Sequence, residues 1–263
     1  MRVSPILNEN NEVIFIVVIE RDVTKEKEID RAKTEFVSIA SHELRTPLAN
    51  MSLTVEMLLD NIAGGLNNEQ KDYLRGLYSD VKGMAELVDA LLNISRIELG
   101  TLIINLEPTN ISDVVDAVLR SLASQIKKKE LEIKKEYGVN IPVINADRNI
   151  MRIIFRNIFA NAIKYTPRGG KINCFVGNQE NEIMIKISDT GCGIPSDQQN
   201  KIFNKLFRAS NAVKMTNKGV GLGLYIVKSM LERCGGRIWF ESEENRGSVF
   251  YIALPLEAAK EIK

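Results

Sequence analysis

The sequence predicts an α-helical hairpin followed by an α/β domain whose sheet carries helices on one face, and three observations carry that prediction. From Lys25 toward Gly64-Gly65 the apolar residues recur every three or four positions, the spacing of one helix face. From Leu74 to Leu91 they step three, four, three, four, three, which is a heptad seam. Beyond Leu99-Gly100 the heptads give way to short apolar runs bounded by turns, with helical stretches between them. At roughly 150 residues per domain, 263 residues allow about two domains, and a hydrophobic fraction of 44% gives each a core.

Taken in order, residues 1–24 contain VIFIVVIERDVT after the turn-forming Asn8-Glu9-Asn10-Asn11, which reads as one β-hairpin, too small to fold alone. A helix then starts near Lys25, carries Phe36, Ala40, Leu44, Pro47/Leu48, Met51, Val55 and Leu58 along one face, and ends at Gly64-Gly65. The second helix carries the heptad seam Leu74, Leu77, Val81, Met84, Val88 and Leu91. Two long helices joined by a short loop form an antiparallel hairpin whose seam is half covered, so pairing with a second copy into a four-helix bundle is expected. In the second domain LIINL (102–106), LEIKKEY (131–137), KINCFVG (171–177), EIMIKIS (182–188), RIWFES (237–242) and SVFYIAL (248–254) are expected as strands. Helices are expected at about 110–129, 147–165 with Asp147 as N-cap, 196–208 and 220–234.

Composition excludes several classes. The 17 glycines and 7 prolines have no triplet period, so the chain is neither collagen-like nor of low complexity. With 35 Lys and Arg against 34 Asp and Glu there is no global field for nucleic acid, and phosphate binding must be local. The longest apolar run, Val13–Ile19, is far short of the 18 or so residues of a membrane span. No secretory signal pattern follows Met1, and the three cysteines, Cys174, Cys192 and Cys234, show no C-x-x-C spacing. Free thiols in a reducing, cytoplasmic compartment are therefore expected.

Four local constellations point to chemistry. The single histidine, His42, lies two residues from both Ala40 and Leu44, about 200° around the helix from that seam, which turns it outward. Glu43 follows it, and a carboxylate beside an imidazole holds one N–H and leaves the other nitrogen as a nucleophile. Thr46, four positions on, shares its face, and Pro47 removes a helix hydrogen bond and is expected to bend the helix. In the second domain Asn157, Asn161 and Lys164 form one line on a helix, beside the apolar set Ile154, Phe155, Ile158 and Ala162. Amide oxygens suit a magnesium ion that also holds phosphates, and the lysine adds a phosphate donor. Asp189-Thr190-Gly191-Cys192-Gly193-Ile194-Pro195 leaves a carboxylate at a strand end that suits the exocyclic amine of adenine. Lys218–Tyr225, KGVGLGLY, sets three glycines at alternate positions before an apolar helix, so that free amides face a phosphate. The cations Lys201, Lys205, Arg208, Lys214 and Lys218 precede that helix start, a scatter that by itself is an ordinary solvated face.

In this order, SHELRTPL, NIFANAIKYTP, DTGCGIP, IFNKLFRAS and GVGLGLYIV resemble the histidine, asparagine, first glycine, phenylalanine and second glycine boxes of bacterial two-component sensor histidine kinases. The resemblance covers about residues 25–257. It implies a dimerisation and phosphotransfer domain over 25–100, and a Bergerat-type α/β sandwich binding ATP and Mg2+ over 101–257, with 258–263 as a tail. Residues 1–24 resemble the last strands and exit linker of a PAS domain. The resemblance makes His42 the phosphoacceptor, Glu43 its acid/base partner, and Thr46 the residue that positions water for dephosphorylating a partner. It makes Asn161 the magnesium ligand with Asn157 and Lys164 assisting, Tyr165 a neighbour of the nucleotide, and Asp189 the adenine reader. Gly191, Gly193, Arg208, Gly219, Gly221, Leu222 and Gly223 complete the nucleotide site. The phenylalanine box departs at Asn204 and Leu206, where Glu and Phe are usual, and the first glycine box departs at Cys192.

The function implied is a cytoplasmic protein histidine kinase that autophosphorylates His42 and passes the phosphoryl group to an aspartate on a response regulator receiver domain. It would act as a homodimer through residues 25–100. One rival is an ATPase of the gyrase and chaperone type. Those enzymes carry a glutamate early in the asparagine box to activate water, where this chain has Asn157. A non-catalytic dimeric scaffold is the other rival, and it would predict decay of the nucleotide motifs, all of which are present.

Overall fold

The computed structural model describes residues 2–7, 10, 13–19, 24–60, 64–216 and 219–256. Strands β1 (Arg2–Leu7) and β2 (Val13–Ile19) form an antiparallel pair running from Arg2 opposite Ile19 to Leu7 opposite Val13. Most of the turn-forming cluster between them, with Lys218 and the 258–263 tail, lies outside the described residues.

Helices α1 (Thr24–Leu59) and α2 (Asn68–Glu98) pack against each other as a hairpin. At 36 residues α1 is about 54 Å long. It stays helical through Pro47, and it ends at Leu59, before the Gly64-Gly65 pair expected to stop it. The start of α2 is fixed by a reciprocal capping box. The Asn67 side chain accepts from the Gln70 N–H at 2.8 Å, while the Gln70 side chain accepts from the Asn67 N–H at 2.9 Å.

The single apolar face read on each helix divides into two rows with seven-residue spacing. Ser41, Leu48 and Val55 of α1 are buried, as are Val81 and Val88 of α2, and Leu48, Val81, Val88 and Leu92 pack together between the two helices. The alternate row does not turn into that core. Leu44 and Met51 are 48% and 46% exposed, and Leu77 and Met84 are 50% and 53% exposed. An interior seam plus an outward apolar row is the pattern of a half bundle, because a and d positions lie on slightly different bearings.

The second domain is a five-stranded sheet in the order β4 (Glu132–Tyr137), β6 (Lys171–Gln179), β7 (Glu182–Asp189), β9 (Gly247–Pro255), β8 (Arg237–Glu243). Only the β4–β6 pair is parallel. Alternate residues, among them Ile172, Cys174, Val176, Ile183, Ile185, Ile187 and Ile252, face one side and are buried under α3 (Ile111–Ser121), α5 (Arg148–Tyr165) and α7 (Gly223–Arg233). The expected α/β layering follows from this period of two. A short pair, β3 (Glu107–Thr109) with β5 (Ile144–Ala146), closes one side.

Four expected elements are corrected. Residues 102–106 are not a strand: Leu102 and Ile104 turn inward and Ile103 outward, but the Asn105 N–H donates to the Asp147 carboxylate at 2.8 Å instead of to a ladder. The helix expected over 110–129 breaks at Leu122 into α3 and α4 (Ala123–Lys128). Over 196–208 only a 3-10 turn forms, Ser196–Lys201, because Leu206 adopts φ 62°, which no right-handed helix accommodates. A separate short helix, α6 (Ser210–Met215), follows, and α7 starts at Gly223, three residues later than expected.

Candidate functional site

On α1 the His42 side chain is 73% exposed, and its Nδ1 lies 3.5 Å from Oε1 of Glu43. Thr46 is exposed as well, one turn further on. The hairpin beneath them is held in register by the Arg45–Asp89 ion pair and by the Ser95 hydroxyl, which donates to the Thr34 carbonyl at 2.9 Å. With one imidazole nitrogen turned toward a carboxylate on so exposed a ring, the other is left accessible from solvent.

In the second domain α5 is capped by Asp147, whose Oδ1 accepts from the N–H groups of Asn149 and Ile150 at 2.9 and 3.0 Å. One flank of α5 (Ile150, Ile154, Ile158, Ala162) is buried, and Asn157, Asn161, Lys164 and Tyr165 are partly exposed beside it. Asn157 donates through Nδ2 to the Ile153 carbonyl at 2.8 Å, which frees its amide oxygen. That oxygen faces the start of α7: a Cβ on Gly223 would stand 2.7 Å from it. The Lys164 ammonium faces the glycine loop, where a Cβ on Gly219, at φ 102°, would collide with it. Gly219 and Gly223 thus bring the loop close to the tips of two α5 side chains, and at Gly219 the positive φ itself favours glycine. Gly221 lies between them at φ 77°, against the Phe207 carbonyl. The Leu222 N-cap of α7 makes no side-chain cap bond, so its first amides are available to a ligand.

The Asp189 carboxylate closes the other end of this line. Its Oδ1 accepts from the Gly191 N–H at 2.8 Å, and Ser248 of β9 adds a backbone hydrogen bond. Burial pushes its carboxyl up to about 6, and the two backbone bonds offset only part of that. Gly193, at φ 62°, passes so close to the Glu243 carbonyl that any side chain would collide. Cys192 ties this turn to the end of α5, donating its N–H to the Tyr165 carbonyl at 3.2 Å. Burial raises all three thiols, Cys174 to about 12 and Cys234 to about 11, so they are poor nucleophiles.

Arg208 donates to the Ala212 carbonyl at 3.2 Å and to that of Thr216, while its Nε is buried without a hydrogen-bond partner among the described residues. It stands beside Tyr165 and Lys164. Burial, reinforced by the Arg208 charge, lowers the Lys164 ammonium to about 8. Lys164, Arg208 and Tyr165 therefore stand together beside the glycine loop that Asn157 also faces, Asn161 lies on α5 between Asn157 and Lys164, and the Asp189 turn is tied to the same end of α5 through the Tyr165 carbonyl. Among the described residues no three His, Cys, Asp or Glu converge on one point. The neutral amide oxygens of Asn157 and Asn161 fit a hard cation that arrives already bound to phosphate.

The two domains are tied directly. Arg156 of α5 pairs with Glu86 of α2 at 3.4 Å, Lys205 pairs with Glu98, and Arg233 of α7 donates to the Ile97 carbonyl at 2.5 Å. Sequence reasoning missed these pairs, since nothing local marks Glu86 or Glu98. It also missed Asn211, whose Nδ2 donates to the carbonyls of Cys192 and Gly193 and anchors α6 to the Asp189 turn.

An exposed histidine on a helical hairpin joined to a one-sided α/β nucleotide fold defines a class, and comparison with known proteins agrees. The family of His Kinase A (phospho-acceptor) domains matches residues 32–100, and the family of histidine kinase-, DNA gyrase B- and HSP90-like ATPases matches residues 146–258. The chain belongs to the sensor histidine kinases. It is 27% identical over 96% of its length to the alginate biosynthesis sensor protein KinB of Pseudomonas aeruginosa, of which it spans 42%. It is 33% identical over 98% of its length to the sensor protein GacS of Pseudomonas syringae, of which it spans 29%. Full-length ShkA in complex with AMPPNP has the same fold over 86% of this chain and 47% of its own, with a TM-score of 0.68 at 25% identity. The chain thus spans about half or less of the curated relatives it matches. Among the described residues no helix is long and apolar enough to cross a membrane.

Proposed function

We propose that this chain is the catalytic part of a two-component sensor kinase, which transfers the γ-phosphoryl group of ATP to His42 and then to an aspartate of a response regulator receiver domain. The observation that carries this is His42 itself: a lone, exposed imidazole with Nδ1 turned to Glu43, on a helix tied to a nucleotide fold. Nε2 attacks the γ-phosphorus, the N–P bond forms, and the P–O bond to ADP breaks. The imidazolium that results gives its Nδ1 proton toward Glu43. Phosphoryl transfer asks for in-line positioning and charge neutralisation more than for covalent work by the protein.

Asp189 accepts the adenine amine, and Tyr165, Gly191 and Gly193 shape the base pocket. Lys164, Arg208 and the amides at Gly219–Gly223 hold the phosphates, with Leu222 seating α7 behind them. Asn161, with Asn157 beside it, is the oxygen donor set for Mg2+, which when bound neutralises charge on the phosphates. Thr46 orients water for removing the phosphoryl group from the regulator. The exposed row Leu44, Met51, Leu77 and Met84 supports a homodimer through residues 25–100. The balanced charge argues against a nucleic-acid partner, and the free thiols suit the cytoplasm.

Incubation with γ-labelled ATP tests the proposal. A protein-bound label that is acid-labile and base-stable is expected. Release of free phosphate with no label on the protein would favour the gyrase-type ATPase instead.

A further inference from the structure

We infer that Lys129 is a positioning residue for the nucleotide site, holding the C-terminal turn of α5 in the conformation that presents Lys164 and Tyr165; this rests on the nucleotide-binding assignment above. Lys129 lies just beyond α4, outside all the motifs that resemble kinase boxes. Its ammonium donates to the Ile163 carbonyl at 2.9 Å and to the Lys164 and Thr166 carbonyls at 2.8 Å each. An ammonium has three donors, and all three are used on one helix end.

The last carbonyls of a helix have no partner within it, and they carry the negative end of its dipole. In many helices a basic residue of the last turn bends back to satisfy them. Here the basic residue of that turn is Lys164, whose ammonium instead faces Gly219. Lys129 supplies the missing charge from another element, so that Lys164 need not cap its own helix. The site also lies one bond away from this contact. The Tyr165 carbonyl, between those of Lys164 and Thr166 that Lys129 holds, accepts from the Cys192 N–H and so ties the Asp189 turn to this helix end.

The surrounding backbone clamps the same corner. The Gly169 N–H donates to the Lys129 carbonyl at 2.9 Å, and Arg168 pairs with Glu130. Burial lowers the Lys129 ammonium. The bonds to carbonyls therefore hold a cation in a partly dry place, an arrangement that its neighbours Lys127 and Lys128 do not share.

The test compares Lys129→Met, Lys129→Gln and Lys129→Arg with wild type in the full chain, by calorimetric ADP binding, KM for ATP and labelling rate at saturating ATP. Lys129→Met should weaken ADP binding and raise KM about tenfold, the scale of a charge at a helix terminus, with the saturated rate within about twofold. Lys129→Gln, with two donors, should fall between, and Lys129→Arg should recover most of the affinity. Should Lys129→Met fail to fold, Lys129→Gln decides by the same criterion. ADP affinity within about twofold of wild type in the folded variant overturns the inference, as does an arginine variant as weak as the methionine one. Wild type that binds no ADP would instead overturn the nucleotide-binding assignment beneath it.

Discussion

Replacing Asp189 with asparagine should make the nucleotide-free protein more stable while making it bind ATP less well. The carboxyl is raised from 3.8 to about 6 mainly by burial, so its charge is held at a cost. At 1.36 kcal/mol per pKa unit that cost is about 3 kcal/mol once the group is ionised. Residual exposure of the residue reduces it to about 1–2 kcal/mol. A folded-state pKa above the unfolded one means the folded state holds the proton more tightly. Stability is therefore lost as pH rises from about 3.8 through about 6. In the Asp189→Asn variant the amide oxygen still accepts from Gly191 but carries no charge. The variant should thus melt about 2–8 °C higher than wild type at pH 8, at roughly 2–4 °C per kcal/mol for a domain of this size. That gap should close as pH falls toward 4. Adenine binding should change in the opposite sense, because an amide can present a donor where the amine needs an acceptor. A loss of about 1–3 kcal/mol is about 5- to 150-fold in affinity. Thermal melts without nucleotide at several pH values, with ATP and GTP titrations on the same samples, measure both. Equal melting at pH 8 would show that the buried carboxylate carries no such cost, and unchanged ATP affinity with GTP bound equally well would show that Asp189 does not read adenine.

The two apolar rows of the hairpin predict different damage from the same substitution. Leu77→Glu should leave a folded monomer by sedimentation, whereas Val81→Glu should also melt the hairpin, since Val81 is 4% exposed. Thr46→Ala should lose phosphatase activity toward the phosphorylated regulator while autophosphorylation largely survives; a matched loss of both rates would point to helix geometry beside Pro47 instead. Because burial lowers the Lys164 ammonium to about 8 and phosphates favour its charged form, ATP affinity should fall as pH rises through about 8. Proton uptake on binding, read by calorimetry in two buffers at pH 8.5, should vanish in Lys164→Met.

The hairpin was legible because the heptad steps of Leu74–Leu91 are a strong signal, but sequence could not divide them into inner and outer rows. That division depends on where α1 lies. Strands β6, β7 and β9 were legible from alternation around buried isoleucines. Leu102–Leu106 alternates as well, yet has no strand beside it, and a ladder needs a partner that one segment cannot reveal. The segment after Ser196 keeps its inward aromatics, Phe203 and Phe207, while Leu206 turns left-handed, so apolar spacing alone suggested a helix. Asn157, Asn161, Lys164 and Asp189 were readable as motif residues. Lys129 sits in an unremarkable basic run, and its role comes from carbonyls more than thirty positions away. The domain-bridging pairs at Glu86 and Glu98 were hidden for the same reason.

In the proposed reaction His42 receives the phosphoryl group from a nucleotide held in the other domain. Wild type and His42→Gln, incubated side by side with γ-labelled ATP and titrated with ADP, test it most directly. Wild type should carry an acid-labile label and His42→Gln none, with ADP affinity within about twofold between them, since the exchanged side chain is 73% exposed on the hairpin. Stable phosphate on the His42→Gln protein would contradict it.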